Sequence, residues 1–164
     1  MRDHKKLEAF HSLDQLSGEL YGAVRHLPGP DRQLMGEPLQ RSIVDSTASL
    51  IHGCSTRNAV TFTPFVAQAH GFIEELGQHL RQCQRNKLFS ERDCEFFIRR
   101  QQSCALQLRR LLKRQIARAD EQREKGRHSE WEWEVECERE NEAPAPKRHP
   151  YNRRRMDRQN LVQS

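Results

Sequence analysis

The sequence predicts an all-α protein: an antiparallel up-and-down four-helix bundle with a C-terminal tail that is disordered or ordered only by a partner. Four segments place apolar residues three and four positions apart, which is the spacing of one helix face. Short breaks rich in proline, glycine or polar residues separate these segments. No alternating, strand-like pattern occurs before residue 130. We therefore assign residues 1–118 to the bundle and residues 119–164 to the tail.

The first two predicted helices are separated by a break that contains two prolines and a glycine. The first runs over about Asp3–His26 and ends at Leu27–Pro30. The second begins near Pro38, because proline suits the first helical turn. It ends at Gly53, a residue type that commonly follows the last turn of a helix. A polar link over Cys54–Phe62 should follow.

Capping residues mark the third and fourth predicted helices. Thr63 as N-cap and Pro64 in the first turn predict the start of the third helix, which ends around Asn86–Lys87. Ser90 is the predicted N-cap of the fourth helix, and Asp93 completes a capping box in which Asp replaces Glu or Gln. Because their connection is short, the third and fourth helices should be antiparallel neighbours.

The segment after the bundle has a different pattern. Beyond Gln122 the helical periodicity fails, and Trp131–Glu138 alternates large apolar with acidic residues. Such alternation is typical of a strand, but no second strand is available nearby. Two interpretations remain open: a disordered acidic tail, or a docking peptide that pairs with a partner's sheet edge or presents Trp131 and Trp133 to a groove. Ala143–Pro146 should form a stiff spacer.

Charge is distributed unevenly along the chain. Residues 1–118 contain 18 Lys/Arg and 12 Asp/Glu, residues 119–146 contain 4 and 10, and residues 147–164 contain 6 and 1. A basic body, an acidic link and a basic end favour a polyanionic partner. The acidic segment could compete with this partner for the basic residues.

The candidate binding surface lies on the fourth predicted helix, within Ile98–Arg118. At about 100° per residue its apolar residues, among them Leu108 and Ile116, occupy one broad face, and its basic residues cluster about half a turn away. Such a helix can pack into a core and still present cations to phosphates, for which Arg offers a planar fork of donors and Lys a point charge. The alternative is the solvated face of a bundle helix. The candidate phosphate-binding residues are Arg99, Arg110, Lys113, Arg114 and Arg118, extended by Lys5, Lys6 and Arg41 and by Arg153, Arg154 and Arg155 in the basic tail.

The sequence shows no catalytic or metal-binding motif. The five cysteines lack zinc-site spacing. His79 and Cys83 are one helical turn apart and could share a metal, but buried cysteines also serve as small core residues. We find neither a nucleophile elbow nor the Glu-x-x-His motif of di-iron bundles, so we predict no enzymatic activity, metal or cofactor. The absence of a signal peptide and of an apolar run long enough to span a bilayer predicts a cytoplasmic protein with reduced thiols and no membrane contact.

Three blocks of the chain resemble a known family. Met1–Phe10 reads MRDHKKLEAF and is similar to the opening R-D-F-K-K-L-x-V-W of bacterial four-helix-bundle proteins encoded within intervening sequences of large-subunit ribosomal RNA genes. Gln40–Gly53 stands where that family has R-R-A-A-V-S-I-P-S-N-I-A-E-G. Ala69–Leu80 stands where it has A-x-G-S-L-x-E-L-x-x-x-L. The order and spacing of the blocks agree with the four predicted helices.

The same fold family is similar to the accessory variability protein of diversity-generating retroelements. The resemblance implies a homopentameric, barrel-like assembly of four-helix protomers that binds RNA or DNA, partners a reverse transcriptase and carries no catalytic residues. The predicted function is therefore that of a nucleic-acid-binding accessory protein, which binds without base specificity because no base-reading motif is present. Two alternatives are an interaction scaffold that docks through Trp131 and Trp133, and a ribosomal RNA intervening-sequence protein of unknown role.

Overall fold

The computed structural model describes residues 3–142, except for the side chains of residue 130 and of residues 132–142. A short 3-10 helix, His4–Lys6, precedes the first of four long helical segments. These segments are α1 (Glu8–Val24), α2 (Gly29–Asp31, a π-helical turn Arg32–Gly36, and Glu37–Ser55), α3 (Ala59–Arg85) and α4 (Glu91–Glu142). No strand occurs in residues 3–142. The prediction of an all-α, four-helix architecture is confirmed.

Each helix packs against the next one along the chain, and α4 also packs against α1. α1 contacts α2, and α2 contacts α3. Side-chain hydrogen bonds also join neighbouring helices. Ser46 donates to the carbonyl of Ala69 between α2 and α3, Gln101 to that of Ile73 between α4 and α3, and Arg100 to Glu19 between α4 and α1. The side chains that the four helices bury together are mainly leucine, isoleucine, valine and phenylalanine. Burial of this apolar surface is the main stabilising contribution to the bundle.

The start of α2 differs from the prediction. The helix begins at Gly29 instead of near Pro38, because Pro30 occupies the first helical turn, where the missing N–H of proline is tolerated. The π-helical turn then disturbs the regular periodicity on which the prediction relied. Gly36, at the end of this turn, lies so close to α1 that an added Cβ would be 2.6 Å from Val24 Cγ1.

The N-cap of α3 was also predicted wrongly. Asn58 is the N-cap, and its Oδ1 accepts a hydrogen bond from the backbone N–H of Thr61 at 2.8 Å. Thr63 lies inside the helix, where its hydroxyl donates to the carbonyl of Ala59 at 2.7 Å. Asparagine is at least as effective an N-cap as threonine, and Pro64 is tolerated inside α3 at the loss of one helical hydrogen bond.

Ser90 is confirmed as the N-cap of α4, but the second bond differs from that of a capping box, because Asp93 accepts from the hydroxyl of Ser90 and not from its backbone N–H. The backbone N–H of Asp93 donates to Ser90 Oγ at 3.1 Å, and Ser90 Oγ donates to Asp93 Oδ2 at 2.7 Å. Lys87, in the preceding turn, has a φ of 53°, which lets the chain reverse over a few residues. α3 and α4 are therefore connected by the short turn that the sequence predicts.

α4 continues past the predicted end of the bundle at Arg118. Ala119 is buried, and Gln122 Oε1 accepts a hydrogen bond from the backbone N–H of Ala59 at 2.9 Å. The compact unit that holds the bundle extends to Lys125. A second unit begins at Gly126, and its backbone is helical as far as Glu142.

The strand-like interpretation of Trp131–Glu138 was therefore wrong, because the backbone of residues 119–142 is helical. This segment contains nine glutamates and three arginines, residue types that favour helix without any apolar periodicity. The predicted spacer Ala143–Pro146 and the basic end lie outside the described residues. None of the helices in residues 3–142 combines the length and the hydrophobicity that crossing a bilayer requires.

Candidate nucleic-acid interface

One side of α4 carries a row of arginines, which we call the arginine stripe. At about 100° per residue its members fall within a sector of about 100°, and at 1.5 Å per residue they extend over about 39 Å. The stripe consists of Arg92, Arg99, Arg100, Arg110, Arg114 and Arg118. All are exposed except Arg100, which is partly buried. The stripe is available to solvent along its length in the protomer.

α1 runs antiparallel along one edge of the stripe. Arg100 makes a bidentate contact with Glu19, with Nη2 at 2.8 Å from Oε1 and Nε at 3.2 Å from Oε2. This carboxylate raises the pKa of the Arg100 guanidinium above its usual value. Further along, Gln107 Nε2 lies 3.5 Å from Glu8 Oε1. Glu19 therefore compensates the charge of Arg100 and holds its side chain in place.

An exposed phenylalanine lies among the arginines at the N-terminal end of the stripe. Phe96 is 45% exposed, and the guanidinium carbon of Arg100 lies 5.7 Å from the centre of its ring. A shallow cavity of about 380 Å³ is lined by Arg92, Glu95, Phe96, Arg99 and Arg100, and we call it the Phe96 cavity. An aromatic ring beside cations can stack on a nucleobase while the cations contact phosphates.

A second cavity lies further along the stripe, between α4 and the start of α1. It has a volume of about 320 Å³ and is lined by Lys6, Leu7, Glu8, Phe62, Leu111, Arg114, Gln115 and Arg118. A smaller neighbouring cavity shares several of these residues and adds Gln107 and Arg110. We call the two together the Gln115 groove. It combines a basic rim with an apolar wall.

Two amide oxygens at this groove are unsatisfied. Gln115 is 4% exposed, and its Oε1 has no hydrogen-bond partner within residues 3–142. Gln107 Oε1 likewise has no hydrogen-bond partner within these residues. Buried acceptors without a donor are uncommon in folded proteins. Apart from His70 Nε2 on α3, the buried side-chain atoms without a hydrogen-bond partner in residues 3–142 therefore lie at this groove.

The structure brings together some of the sequence-predicted cations and separates others. Arg110, Arg114, Arg118 and Lys6 meet at the Gln115 groove, and Arg99 lines the Phe96 cavity. The exposed residues Lys113, Lys5 and Arg41 line neither cavity, and Arg41 lies on α2. Arg153, Arg154 and Arg155 lie outside the described residues.

Several residues that line the Phe96 cavity and the Gln115 groove were not among the residues predicted from the sequence. Arg92, Phe96 and Arg100 follow one another at intervals of four, which is a helical row that could have been found from spacing alone. Gln115 stands between Leu111 and Ala119 in a row of apolar residues at the same interval. A polar residue in such a row is a detectable signal, although it does not reveal a cavity.

Trp131 and Trp133, which are predicted to dock a partner, belong to the second unit. Trp131 is 60% exposed, and its ring stacks on that of His128 with 6.3 Å between centroids. Trp133 lies on helical backbone, and its side chain is outside the described part of the chain. Docking of a partner protein through these residues stays a prediction.

Four buried cysteines lie in the bundle: Cys54, Cys83, Cys94 and Cys104. Burial and the neighbouring Cys94 raise the pKa of the Cys83 thiol to about 11. Burial also raises the pKa of Cys104 to about 11, against the lowering effect of the Arg100 guanidinium. At neutral pH both therefore remain thiols, the form that is a poor metal ligand and nucleophile. Among the residues described, no three His, Cys, Asp or Glu side chains are grouped closely enough to hold a metal ion.

No protein-family model and no curated protein matches this chain. The fold and the surface together define the class of the protein as an antiparallel four-helix bundle with an arginine-lined exposed face on its last helix.

Proposed function

We propose that this chain is a non-catalytic nucleic-acid-binding protein that holds RNA or DNA along the arginine stripe. The observation that carries the proposal is the exposed row of arginines on α4, which passes both the Phe96 cavity and the Gln115 groove. The row covers about 39 Å, a length over which one strand of B-form DNA presents about eleven phosphates.

The charges that remain uncompensated support this proposal. Within residues 3–142, Arg92, Arg110, Arg114 and Arg118 form no salt bridge, whereas Arg100 is paired with Glu19. Arg99 pairs with Glu95 at 3.0 Å in an exposed contact that contributes little. Four exposed cations on one side of a helix are thus available for phosphate oxygens.

Filter binding at increasing salt tests the electrostatic mechanism. For four phosphate contacts to a single strand, we expect the logarithm of affinity to fall with the logarithm of salt concentration with a slope of about −3. Affinity for a 15-nucleotide RNA should then decrease about 60-fold between 50 and 200 mM NaCl, with little dependence on base sequence. Absence of binding at 50 mM NaCl would contradict the proposal.

The resemblance described above supports two further parts of the proposal. We propose that protomers assemble into a homopentameric ring, which repeats the arginine stripe, and that the ring assists a reverse transcriptase of a diversity-generating retroelement in the cytoplasm. Light scattering should give the mass of five protomers of 19.4 kDa each, and the mass of a single protomer would contradict the ring. A reverse-transcriptase gene with a template repeat beside this gene is the genomic arrangement that the accessory role requires.

A further inference from the structure

The unused acceptor of Gln115 indicates that the groove takes an occupant that donates a hydrogen bond. Gln115 is almost wholly buried, its Oε1 has no partner in residues 3–142, and it lines a cavity of about 320 Å³. Leaving a buried amide oxygen unpaired is costly. A donor supplied by a bound molecule would remove this cost, and a hydroxyl or N–H group has the required chemistry.

The other residues of the groove restrict the occupant further. Lys6, Arg114 and Arg118 line it with cations and favour an anionic group of the phosphate type. Leu111 and Leu7 provide an apolar wall. The occupant should therefore combine a phosphate, hydrogen-bond donors and an apolar or aromatic surface.

The acceptors at the groove distinguish ribose from deoxyribose. Glu8, Gln107 and Gln115 each contribute a side-chain oxygen that accepts hydrogen bonds. A nucleotide within an RNA strand keeps its 2′-hydroxyl as a donor, whereas a nucleotide within a DNA strand has no sugar hydroxyl to donate. A cavity of about 320 Å³ also lies at the lower end of the size range of ligand pockets.

We propose that the Gln115 groove binds one unstacked ribonucleotide, with its phosphate ester against Arg114 and Arg118 and a hydroxyl or N–H group donating to Gln115 Oε1. This inference rests on the proposed function and deepens it. The arginine stripe binds the phosphates of RNA and DNA alike, and the groove makes the affinity for RNA higher than the affinity for DNA.

Binding measurements on the full-length protein test the groove. The ligands are adenosine 5′-monophosphate (AMP), inorganic phosphate, and a 15-nucleotide single strand as RNA and as DNA. Gln115→Met keeps the size of the side chain and removes the acceptor, so AMP should bind about five- to tenfold more weakly, with phosphate binding unchanged. The preference for RNA over DNA should disappear in the same variant. Arg81→Gln, an exposed change on α3 outside both cavities, should alter none of these affinities.

The outcomes distinguish ribonucleotide binding in the Gln115 groove from strand binding along the arginine stripe. Equal AMP affinity in the wild type and in Gln115→Met, or AMP binding no tighter than that of phosphate, overturns the ribonucleotide site. If the RNA strand nevertheless binds with the expected salt dependence, the proposed function stands without the groove. If neither AMP nor a strand binds, both proposals fail.

A second comparison identifies the source of the nucleotide. Loss of both AMP and RNA affinity in Gln115→Met assigns the groove to a nucleotide of the strand, and loss of AMP affinity alone assigns it to a free nucleotide. Melting curves show whether Gln115→Met remains folded. Should it unfold, Gln107→Met replaces it, because Gln107 supplies the second unpaired acceptor of the groove and is only partly buried.

Discussion

Replacement of Arg110, Arg114 and Arg118 by glutamate should remove nucleic-acid binding at physiological salt. These three residues are exposed on α4 and form no salt bridge within residues 3–142, so their charges are available to phosphates. Losing three phosphate contacts alone should weaken binding by about 100-fold at 150 mM salt, and the three introduced carboxylates repel the ligand further. Fluorescence anisotropy with a labelled 15-nucleotide RNA measures the change.

A matched triple variant controls for net charge. Arg25, Arg81 and Arg85 are exposed and lie outside both cavities, on or just after α1 and α3. Their replacement by glutamate changes the net charge by the same amount and should weaken binding only modestly. Equal losses in the two triple variants would show that overall charge, and not the arginine stripe, controls binding. Circular dichroism should show unchanged helix content in both.

Replacement of Gly53 by alanine should destabilise the bundle, although alanine normally stabilises a helix. An added Cβ would lie 2.7 Å from Phe65 Cβ and 2.8 Å from two ring atoms of Phe62. Phe65 Cβ is attached to the backbone and Phe62 is fully buried, so neither can move aside without disturbing the contact between α2 and α3. We expect a loss of about 1–3 kcal/mol in the free energy of unfolding, as for other overpacked cores.

Gly71 provides the control for this prediction. It is exposed on α3, and an added Cβ would meet nothing within 4 Å. Gly71→Ala should therefore stabilise the protein by up to about 1 kcal/mol, which is the difference in helix propensity. Urea denaturation measures both variants, and opposite signs are expected. Stabilisation by Gly53→Ala would mean that α2 and α3 are further apart than the structure indicates.

Gly53 also shows where sequence reasoning fails. From the sequence alone, this glycine predicts the end of a helix, since glycine often follows the last turn. In the structure the helix continues to Ser55, and the glycine allows α3 to approach α2 closely. Both roles depend on the absence of a Cβ in glycine. The sequence does not show whether a glycine is needed for a backbone conformation that other residues rarely adopt or for close packing between two helices.

On α4, the helical pattern likewise does not predict the burial of Ile116 and Gln115. The helical pattern placed Ile116 on the apolar face, yet it is 44% exposed, and the adjacent Gln115 is buried. A helical wheel gives relative directions only, whereas the rotation of α4 against α1 and α3 decides which residues face inward. The cavity at Gln115 arises because α4 meets the start of α1 at that point.

By itself, the sequence determined the features that depend on neighbouring residues: the helical periodicity, the N-cap of α4 at Ser90, and the four-residue interval from Arg110 to Arg114 and Arg118. These are local because hydrogen bonds and side-chain directions within a helix repeat over a few residues. Tertiary structure alone decided that Lys6 joins these arginines, that Glu19 compensates Arg100, and that Gln115 retains an unpaired acceptor in a cavity. Such arrangements depend on how helices distant in sequence pack, and no local pattern of residues specifies that packing.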